Sequence, residues 1–221
     1  YGGNTSCIEV RCGDRLLVLD AGTGLRPLGV RLATGGAVDA DILLTHTHLD
    51  HIAGLPFFTP LFLPGNRFRM WAGHLHNQEN TLEGSVCRMM SAPLFPIPFD
   101  ALESEIEFRE FESGNDIDLG DGILVKTKPL KHPNGATGYR IEYGGRSLCY
   151  VTDTEHAESA LDADILDLIR GTNIFIYDAT YTDEEYPDFR GWGHSTWQEG
   201  ARLAEEAGVD RYVIFHHAPE H

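Results

Sequence analysis

The chain has 221 residues, 42% of them hydrophobic and 23% charged, an ordinary globular composition that suffices for one substantial core. Its formal net charge of −17 disfavours nucleic-acid partners, because a strongly negative field repels phosphates unless a basic patch or a bound metal intervenes. No apolar run approaches the ~20 residues that a membrane helix needs, so the sequence predicts no membrane span.

In chain order, short strands alternate with a few helices. Strand-like Ser6–Arg11 and Leu16–Asp20 flank a Gly-Asp turn and predict a hairpin, after which Gly22-Thr23-Gly24 breaks the chain. The further predicted strands are Asp41–Thr45, Ile123–Lys128, Thr137–Tyr143, Ser147–Thr152, Ile174–Ala179 and Arg211–Phe215, with a second hairpin at Gly144-Gly145-Arg146. The predicted helices are Gln78–Met90, Ala160–Ile169 and Thr196–Ala207. Such an order predicts two sheets with helices on the outside.

The last predicted helix has clear boundary signals. Ser195 and Gln198 have the S-x-x-Q spacing of a capping box, and Gly208 is a typical helix stop. By contrast, the stretch SAPLFPIPF (residues 91–99) carries three prolines and predicts an irregular apolar loop.

The cysteines indicate a reducing compartment. Cys7, Cys12, Cys87 and Cys149 form no C-x-x-C pair, and three of the four lie in apolar strand-like runs. We therefore expect buried free thiols and a cytoplasmic protein. The chain begins at Tyr1 without a basic leader, and we expect a single domain over residues 1–221 that lacks its native N-terminal and C-terminal ends.

The stretch LLTHTHLDHIAG (residues 43–54) concentrates three histidines and an aspartate within six positions. Residues two apart share a face in an extended segment, so His46 and His48 would point the same way. Asp50 and His51 follow as the chain turns and can approach from another direction. Since one zinc ion needs about four ligands, this segment could serve one metal ion or contribute to two.

Three more candidate ligands each follow a predicted strand: His132, Asp153 and His216. Any one of them alone would be an ordinary solvated loop residue or a satisfied core group. Together with H-x-H-x-D-H they predict a metal site, because groups at the ends of strands converge. His217 is an alternative to His216, and strand neighbours face opposite ways, so only one of the two should bind metal. We prefer His216 because it directly follows the apolar strand.

This pattern resembles the metallo-β-lactamase superfamily over nearly the whole chain. Asp20 matches the first motif of that family, residues 46–51 the second, and His132, Asp153 and His216 the third, fourth and fifth. The resemblance implies an α/β fold, an αββα sandwich in which two mixed β-sheets pack face to face with helices on the outside. It also implies a hydrolase with two divalent metal ions.

The resemblance implies a role for each metal-binding side chain. One metal ion would be bound by His46, His48 and His132, and the other by Asp50, His51 and His216, with Asp153 bridging them and Asp20 orienting the cluster. This mixed nitrogen and oxygen set suits zinc first, with manganese or iron as alternatives. The remaining histidines hold no motif position, and we assign them to the surface or the substrate rim: His74, His76, His156 and His221.

Three shorter stretches resemble one branch of the superfamily, the tRNase Z-type enzymes and the related cyclic-phosphate phosphodiesterases. YVTDTEH (150–156) resembles their Y-x-G-D-T segment, GHST (193–196) resembles H-S-T, and IYDATY (176–181) resembles H-E-A-T with Asp178 in place of the glutamate and Tyr177 in place of the histidine. We expect His194, held by Asp178, to protonate the leaving oxygen. Alternatively, His194 is a surface residue stacked beside Trp192 or Trp197.

Departures from the tRNA-processing enzymes favour a small substrate. We find neither a basic exosite arm nor a P-x-K-x-R-N loop, and the nearest basic stretch, residues 126–131, is short. The loop at 91–99 could form a lid over a small substrate or pack against the core. An RNA substrate would require a basic arm supplied by a partner or by the missing ends.

The sequence thus predicts a dinuclear phosphodiesterase that cleaves a small or cyclic phosphodiester with a hydroxide held between two metal ions. The catalytic set is Asp50, His194 and Asp178. The alternatives are a tRNase Z-like ribonuclease and a hydrolase of lactones, β-lactams or thioesters. The family resemblance suggests a homodimer.

Overall fold

Two β-sheets account for most of the secondary structure in the computed structural model, which describes residues 3–157 and 160–218. The chain divides into an N-terminal unit, Tyr1–Glu112, and a C-terminal unit, Ser113–His221, and each unit contains one of the sheets. His221 lies outside the described residues.

The N-terminal unit contains a five-stranded mixed sheet in the order β1-β2-β3-β4-β5. The first two strands form an antiparallel hairpin, and the other neighbours pair in parallel. The strands are β1 (Ile8–Cys12), β2 (Arg15–Leu19), β3 (Asp39–Leu44), β4 (Arg67–Ala72) and β5 (Glu105–Glu110), and the helices are α1 (Leu25–Leu32), α2 (Leu49–Ile52) and α3 (Leu82–Met89).

The C-terminal unit contains a six-stranded mixed sheet in the order β11-β10-β9-β8-β7-β6. Strands β6 to β9 pair antiparallel, whereas β9, β10 and β11 run parallel. The strands are β6 (Ile117–Gly120), β7 (Ile123–Leu130), β8 (Ala136–Tyr143), β9 (Arg146–Val151), β10 (Ile174–Asp178) and β11 (Tyr212–Phe215), and the helices are α4 (Ala163–Ile169) and α5 (Trp197–Ala207).

The prediction of an α/β chain with two mixed sheets is confirmed, as are both hairpins. All four ends of the two strands in the second hairpin lie within one residue of the prediction. Two helices begin later than predicted, because a residue inside the predicted span accepts the first free backbone N–H groups. Thr81 caps α3 through Gly84 N, and Asp162 caps α4 through Asp164 N and Ile165 N.

The predicted cap of α5 is wrong by one residue. Thr196, not Ser195, is the N-cap, and its side chain accepts a hydrogen bond from Glu199 N at 3.1 Å. The capping spacing is therefore T-x-x-E. Gly208 ends the helix as predicted, in the left-handed conformation with φ 66°. Ser195 is fully buried, and its hydroxyl is used elsewhere.

Each unit has its own hydrophobic core. In the N-terminal unit the core lies between one face of the sheet and helices α1 and α3, and its largest members include Phe58, Phe68, Leu25 and Ile42. In the C-terminal unit, Phe175 and Tyr177 of β10 pack with residues of α4 and α5. Each fully buried large side chain contributes about 1.5–3 kcal/mol, so these clusters are the main favourable term in folding each unit.

All four cysteines are free thiols. Burial raises the pKa of Cys7 to about 12 and that of Cys149 to about 11, so both stay protonated and unreactive at neutral pH. Among the described residues, no helix has both the length and the apolar character needed to cross a membrane.

A buried carboxylate organises the N-terminal sheet. Asp41 of β3 is fully buried, and it accepts hydrogen bonds from Arg15 at 2.7 Å, from Arg69 at 2.7 Å and from the Trp71 indole at 3.0 Å. Burial acts to raise the pKa of Asp41, but these three donors outweigh it and hold the pKa below its usual value. The carboxylate is therefore charged at neutral pH.

We expect Asp41→Ala to lower the free energy of unfolding at pH 7 by about 3 kcal/mol, because it removes the buried carboxylate partner of a mostly buried guanidinium, Arg69. Asp39→Ala removes an exposed partner of the same Arg69 and should cost under about 1 kcal/mol. Because folding lowers the pKa of Asp41, its contribution is present above the ordinary carboxyl pKa and is lost as pH falls through the lower folded value. Urea unfolding of both variants between pH 3 and 7 measures this. Equal losses in the two variants would contradict it.

Candidate metal centre

The histidine cluster of the N-terminal unit lies where β3 ends. His46 is fully buried, and His48 is extended with φ −65° and ψ 153° immediately before α2 begins. The ring centroids of His46 and His48 are 4.4 Å apart, and those of His46 and His51 are 4.2 Å apart. The extended segment and the first turn of a short helix thus bring three imidazoles together.

Asp20 orients this cluster. It is fully buried at the end of β2, with φ 59°, and its Oδ1 accepts a hydrogen bond from Thr45 N at 2.7 Å. Its Oδ2 lies 2.8 Å from His51 Nδ1, which leaves His51 Nε2 pointing to Asp50 Oδ2 at 3.3 Å. A metal-binding histidine usually donates its other ring N–H in this way.

Two glycines allow the close approach of the loops in this cluster. A Cβ atom at Gly22 would overlap the carbonyl oxygen of Asp50, and one at Gly54 would overlap the carbonyl oxygen of Gly22. The backbone also bonds directly across this contact, from Ala21 N to His51 O at 2.7 Å. The glycines on either side of the cluster therefore fix the position of Asp50 and His51.

In the C-terminal unit, the candidate ligands converge at one edge of the sheet. Strands β7, β9, β10 and β11 all run in the same direction, so the residues after their carboxyl ends share that edge. Asp153 Oδ1 lies 3.7 Å from His132 Nε2, and Asp153 Oδ2 lies 3.5 Å from His216 Nε2. One carboxylate thus has one imidazole near each of its two oxygens.

Backbone conformation and hydrogen bonds hold this arrangement. Asp153 has φ 55° and His216 has φ 57°, a left-handed conformation that costs a non-glycine residue free energy and is concentrated at functional sites. His132 Nδ1 donates to the carbonyl oxygen of Gly193 at 2.8 Å, which directs its Nε2 to Asp153. His217 is exposed, so His216 is the member of the pair that lies at the site.

Asp178 and His194 lie directly beside these residues. Asp178 is fully buried at the end of β10, and its Oδ2 accepts hydrogen bonds from Asp153 N at 2.9 Å and from His194 Nδ1 at 3.1 Å. Burial acts to lower the pKa of His194, but the hydrogen bond and charge of Asp178 outweigh it and raise the pKa above its usual value. The ring of His194 stacks on His216 at 5.2 Å, whereas Trp192 contacts Phe189, so the surface-stacking alternative is wrong.

Of the histidines that we assigned to the surface or the substrate rim, His76 is exposed, whereas His74 and His156 are half-buried. His74 Nε2 lies 3.1 Å from Thr47 Oγ1. Burial is the main cause that lowers the pKa of His74 to about 4, and the charge of the nearby His48 lowers it further. His156 Nδ1 lies 2.7 Å from Ser195 Oγ. No motif identified either residue, because both depend on partners distant in sequence.

The chemistry of these side chains fits divalent metal ions. Each unit has its own cluster of imidazole nitrogens and carboxylate oxygens, His46, His48, Asp50 and His51 in one and His132, Asp153 and His216 in the other. Such mixed donors suit zinc, manganese or iron, and the hydrogen bonds that fix His51 and His132 are typical of ligand histidines.

Comparison with known proteins identifies the family. The sequence model of the "Beta-lactamase superfamily domain" matches residues 15–217. A Ribonuclease Z from Haloarcula marismortui is 24% identical over 258 residues, which cover 96% of this chain and 80% of that protein.

Three solved structures have a similar fold. The metallo-β-lactamase fold protein YhfI from Bacillus subtilis has a TM-score of 0.73 at 18% identity, covering 97% of this chain and 80% of its own. The short form of human tRNase Z has a TM-score of 0.72 at 19% identity, covering 98% and 87%. A diphosphatase of the PhnP family has a TM-score of 0.67 at 19% identity, covering 97% and 74%. Since the family match spans most of the chain, this protein belongs to the β-lactamase superfamily and is a metal-dependent hydrolase of the metallo-β-lactamase fold.

Proposed function

We propose that the protein is a dinuclear phosphodiesterase that cleaves a small or cyclic phosphodiester. The observation that carries this proposal is the position of His194, which is hydrogen-bonded to buried Asp178 beside the Asp153 carboxylate. Phosphodiester cleavage needs an acid for the leaving alkoxide, and a histidine whose pKa is raised by a carboxylate can hold that proton at neutral pH.

The proposed ligand sets are those that the family resemblance implies. His46, His48 and His132 would bind one metal ion, and Asp50, His51 and His216 the other, with Asp153 shared between them. The two oxygens of Asp153, each facing a different imidazole, support the shared role. Zinc is the preferred metal, and manganese or iron would also suit these donors.

The bound metal ions would activate water and neutralise charge on the phosphoryl oxygens. The residues of this chain would transfer the protons. His194 would donate its proton to the leaving oxygen, while Asp178 keeps the ring in place and stabilises its protonated form. Asp50, about two-fifths exposed beside His51, would take up the proton released by the attacking water.

Charge favours a small substrate over tRNA. The three lysines of the most basic stretch are all paired with carboxylates: Lys126 with Glu142, Lys128 with Asp164 and Asp167, and Lys131 with Asp162. Because these lysines are already paired and the chain has a net charge of −17, this stretch offers few free positive charges to the phosphates of a tRNA.

A tRNase Z-like ribonuclease is the second candidate function. It is favoured by the relative named Ribonuclease Z, which aligns over almost the whole chain, and by the likeness to human tRNase Z. Both candidates would use the same phosphodiester chemistry and differ in how the substrate is bound. We further propose that the protein is cytoplasmic and forms a homodimer. The free thiols support the cytoplasmic location and have no bearing on the homodimer.

Metal analysis combined with hydrolysis assays on three classes of substrate tests the proposal. We expect about two metal ions per chain and EDTA-sensitive hydrolysis of bis(p-nitrophenyl) phosphate and of 2′,3′-cyclic AMP. Cleavage of a tRNA precursor with a 3′ trailer, weakening steeply with salt, would favour the ribonuclease instead. Metal binding with hydrolysis of a lactone, β-lactam or thioester alone would overturn the choice of a phosphodiester.

A further inference from the structure

A chain of hydrogen bonds in the C-terminal unit fixes the proton of a histidine outside the proposed metal site. Tyr177 OH donates to Ser195 Oγ at 2.9 Å, and Ser195 Oγ lies 2.7 Å from His156 Nδ1. Tyr177 is fully buried, and burial raises its pKa well above its usual value, so it keeps its proton. Ser195 Oγ accepts from Tyr177. Ser195 is fully buried, and His156 Nδ1 is the one acceptor that its hydroxyl has among the hydrogen bonds of the described residues, so Ser195 donates its own proton there.

This arrangement leaves the proton of neutral His156 on Nε2. Burial lowers the pKa of His156 and outweighs the opposing charge of Glu199, which keeps the ring neutral. Tyr186 holds the ring from one side, with the two rings stacked at 4.1 Å, and its OH donates to the His156 carbonyl oxygen at 2.6 Å. The Nε2–H group is thus a donor of fixed direction and no charge.

His156 lies on the wall of a cleft that also contains His132. This cleft of about 560 Å³ runs between Pro133, Glu155 and the backbone of Gly191 and Gly193. A second cleft of about 410 Å³ adjoins it, because His156 and Ala157 line both. A ligand with its phosphate near His132 would therefore extend past His156.

We propose that His156 is a substrate-binding residue whose Nε2–H donates a hydrogen bond to an oxygen of the organic group of the phosphodiester, such as a sugar oxygen. This inference rests on the proposed function and narrows the substrate class to sugar or nucleoside phosphodiesters. A neutral donor suits a neutral oxygen better than an anionic phosphate, which would be served by the metal ions and His194.

The first test is the nuclear magnetic resonance spectrum of the holoenzyme with ¹⁵N-labelled histidine, in which His156→Phe assigns the signal. We expect the wild type to carry the proton on His156 Nε2, and Ser195→Ala to give a mixture of both tautomers. Thymidine 5′-monophosphate should shift the Nε2 signal, whereas methyl phosphate should not. A proton on Nδ1 in the wild type, or no response to thymidine 5′-monophosphate, would overturn the inference.

The second test compares two esters that release the same 4-nitrophenolate, thymidine 5′-(4-nitrophenyl) phosphate and methyl 4-nitrophenyl phosphate. His156→Phe keeps the stacking on Tyr186. In this variant the ratio of kcat/KM for the thymidine ester to kcat/KM for the methyl ester should fall about tenfold, because the KM for the thymidine ester rises. His156→Gln keeps an N–H donor and should retain more of the preference. His76→Phe, at an exposed histidine, is the matched control.

The two tests separate this inference from the proposed function. If the wild type hydrolyses neither ester, the phosphodiesterase proposal fails, and the tautomer and the response to thymidine 5′-monophosphate still decide the role of His156. If both esters are hydrolysed and His156→Phe leaves the preference unchanged, the phosphodiesterase proposal stands and the role of His156 is refuted.

Discussion

His194→Ala is expected to lower kcat for 2′,3′-cyclic AMP by about 10²-fold or more, with the metal content unchanged. Removal of the ring leaves the leaving alkoxide without a proton donor. The loss should be smaller for bis(p-nitrophenyl) phosphate, because 4-nitrophenolate is a stable anion that needs little protonation. A loss that grows with the basicity of the leaving group is specific to a general acid, and a structural defect would not produce it.

His217→Ala is the control for this variant, since His217 is an exposed histidine that follows the same strand as His216. It should leave kcat within about twofold of the wild type, as surface substitutions usually do. One result would contradict the acid role of His194: a loss of metal ions that parallels the loss of activity. His194 lies close enough to His132 and Asp153 for that outcome to mean that it is itself a ligand.

Asp178→Asn tests the other half of the pair. The amide keeps the shape of the side chain and removes the charge that raises the pKa of His194. A general acid is active below its pKa, so a raised pKa keeps it active to higher pH. We expect the falling limb of the kcat profile at high pH to move to lower pH in Asp178→Asn, and a profile that does not move would contradict the pairing.

Two of the predicted strands were recognised because their apolar residues are nearly continuous. Strand β10 (Ile174–Asp178) and β3 (Asp39–Leu44) are almost fully buried, and buried strands of parallel sheets read as apolar runs. The strand β5 (Glu105–Glu110) was not predicted because four of the six residues of EIEFRE are charged and the strand lies at the edge of its sheet, where charged side chains are common. An edge strand of this kind can be recognised only when the strand that it pairs with is known.

The candidate site could be predicted because its side chains follow strands at motif spacings, whereas its supporting contacts could not. Asp178 was recognised only through a motif, and the structure adds that it also accepts the backbone N–H of Asp153. Ser195 illustrates the opposite case. Its position suggested a helix cap, but Thr196 takes that role and leaves the Ser195 hydroxyl to Tyr177 and His156. Partners so far apart in sequence leave no local pattern.

Asp153 is expected to be the least replaceable carboxylate of the site. It is 1% exposed, and its two oxygens face His132 and His216. In Asp153→Asn one oxygen and the negative charge are lost, and an amide nitrogen cannot bind a metal ion. We expect the metal content to fall from about two ions per chain to about one or fewer, and kcat/KM to fall by more than ~10²-fold, since even residues that only orient ligands are worth 10- to 100-fold.

Asparagine is the right replacement because the backbone of Asp153 has φ 55°, a conformation that asparagine adopts more readily than most residues. The loss can then be assigned to metal binding instead of backbone strain. Asp121→Asn makes the same change at an exposed position with φ 53°, and it should alter neither metal content nor activity. Metal content is measured by mass spectrometry of the purified protein, and the metal-free forms of all three proteins should unfold at similar temperatures. If Asp153→Asn retains two ions per chain, the bridging role is refuted, and each ion must be bound by the remaining ligands without a shared carboxylate.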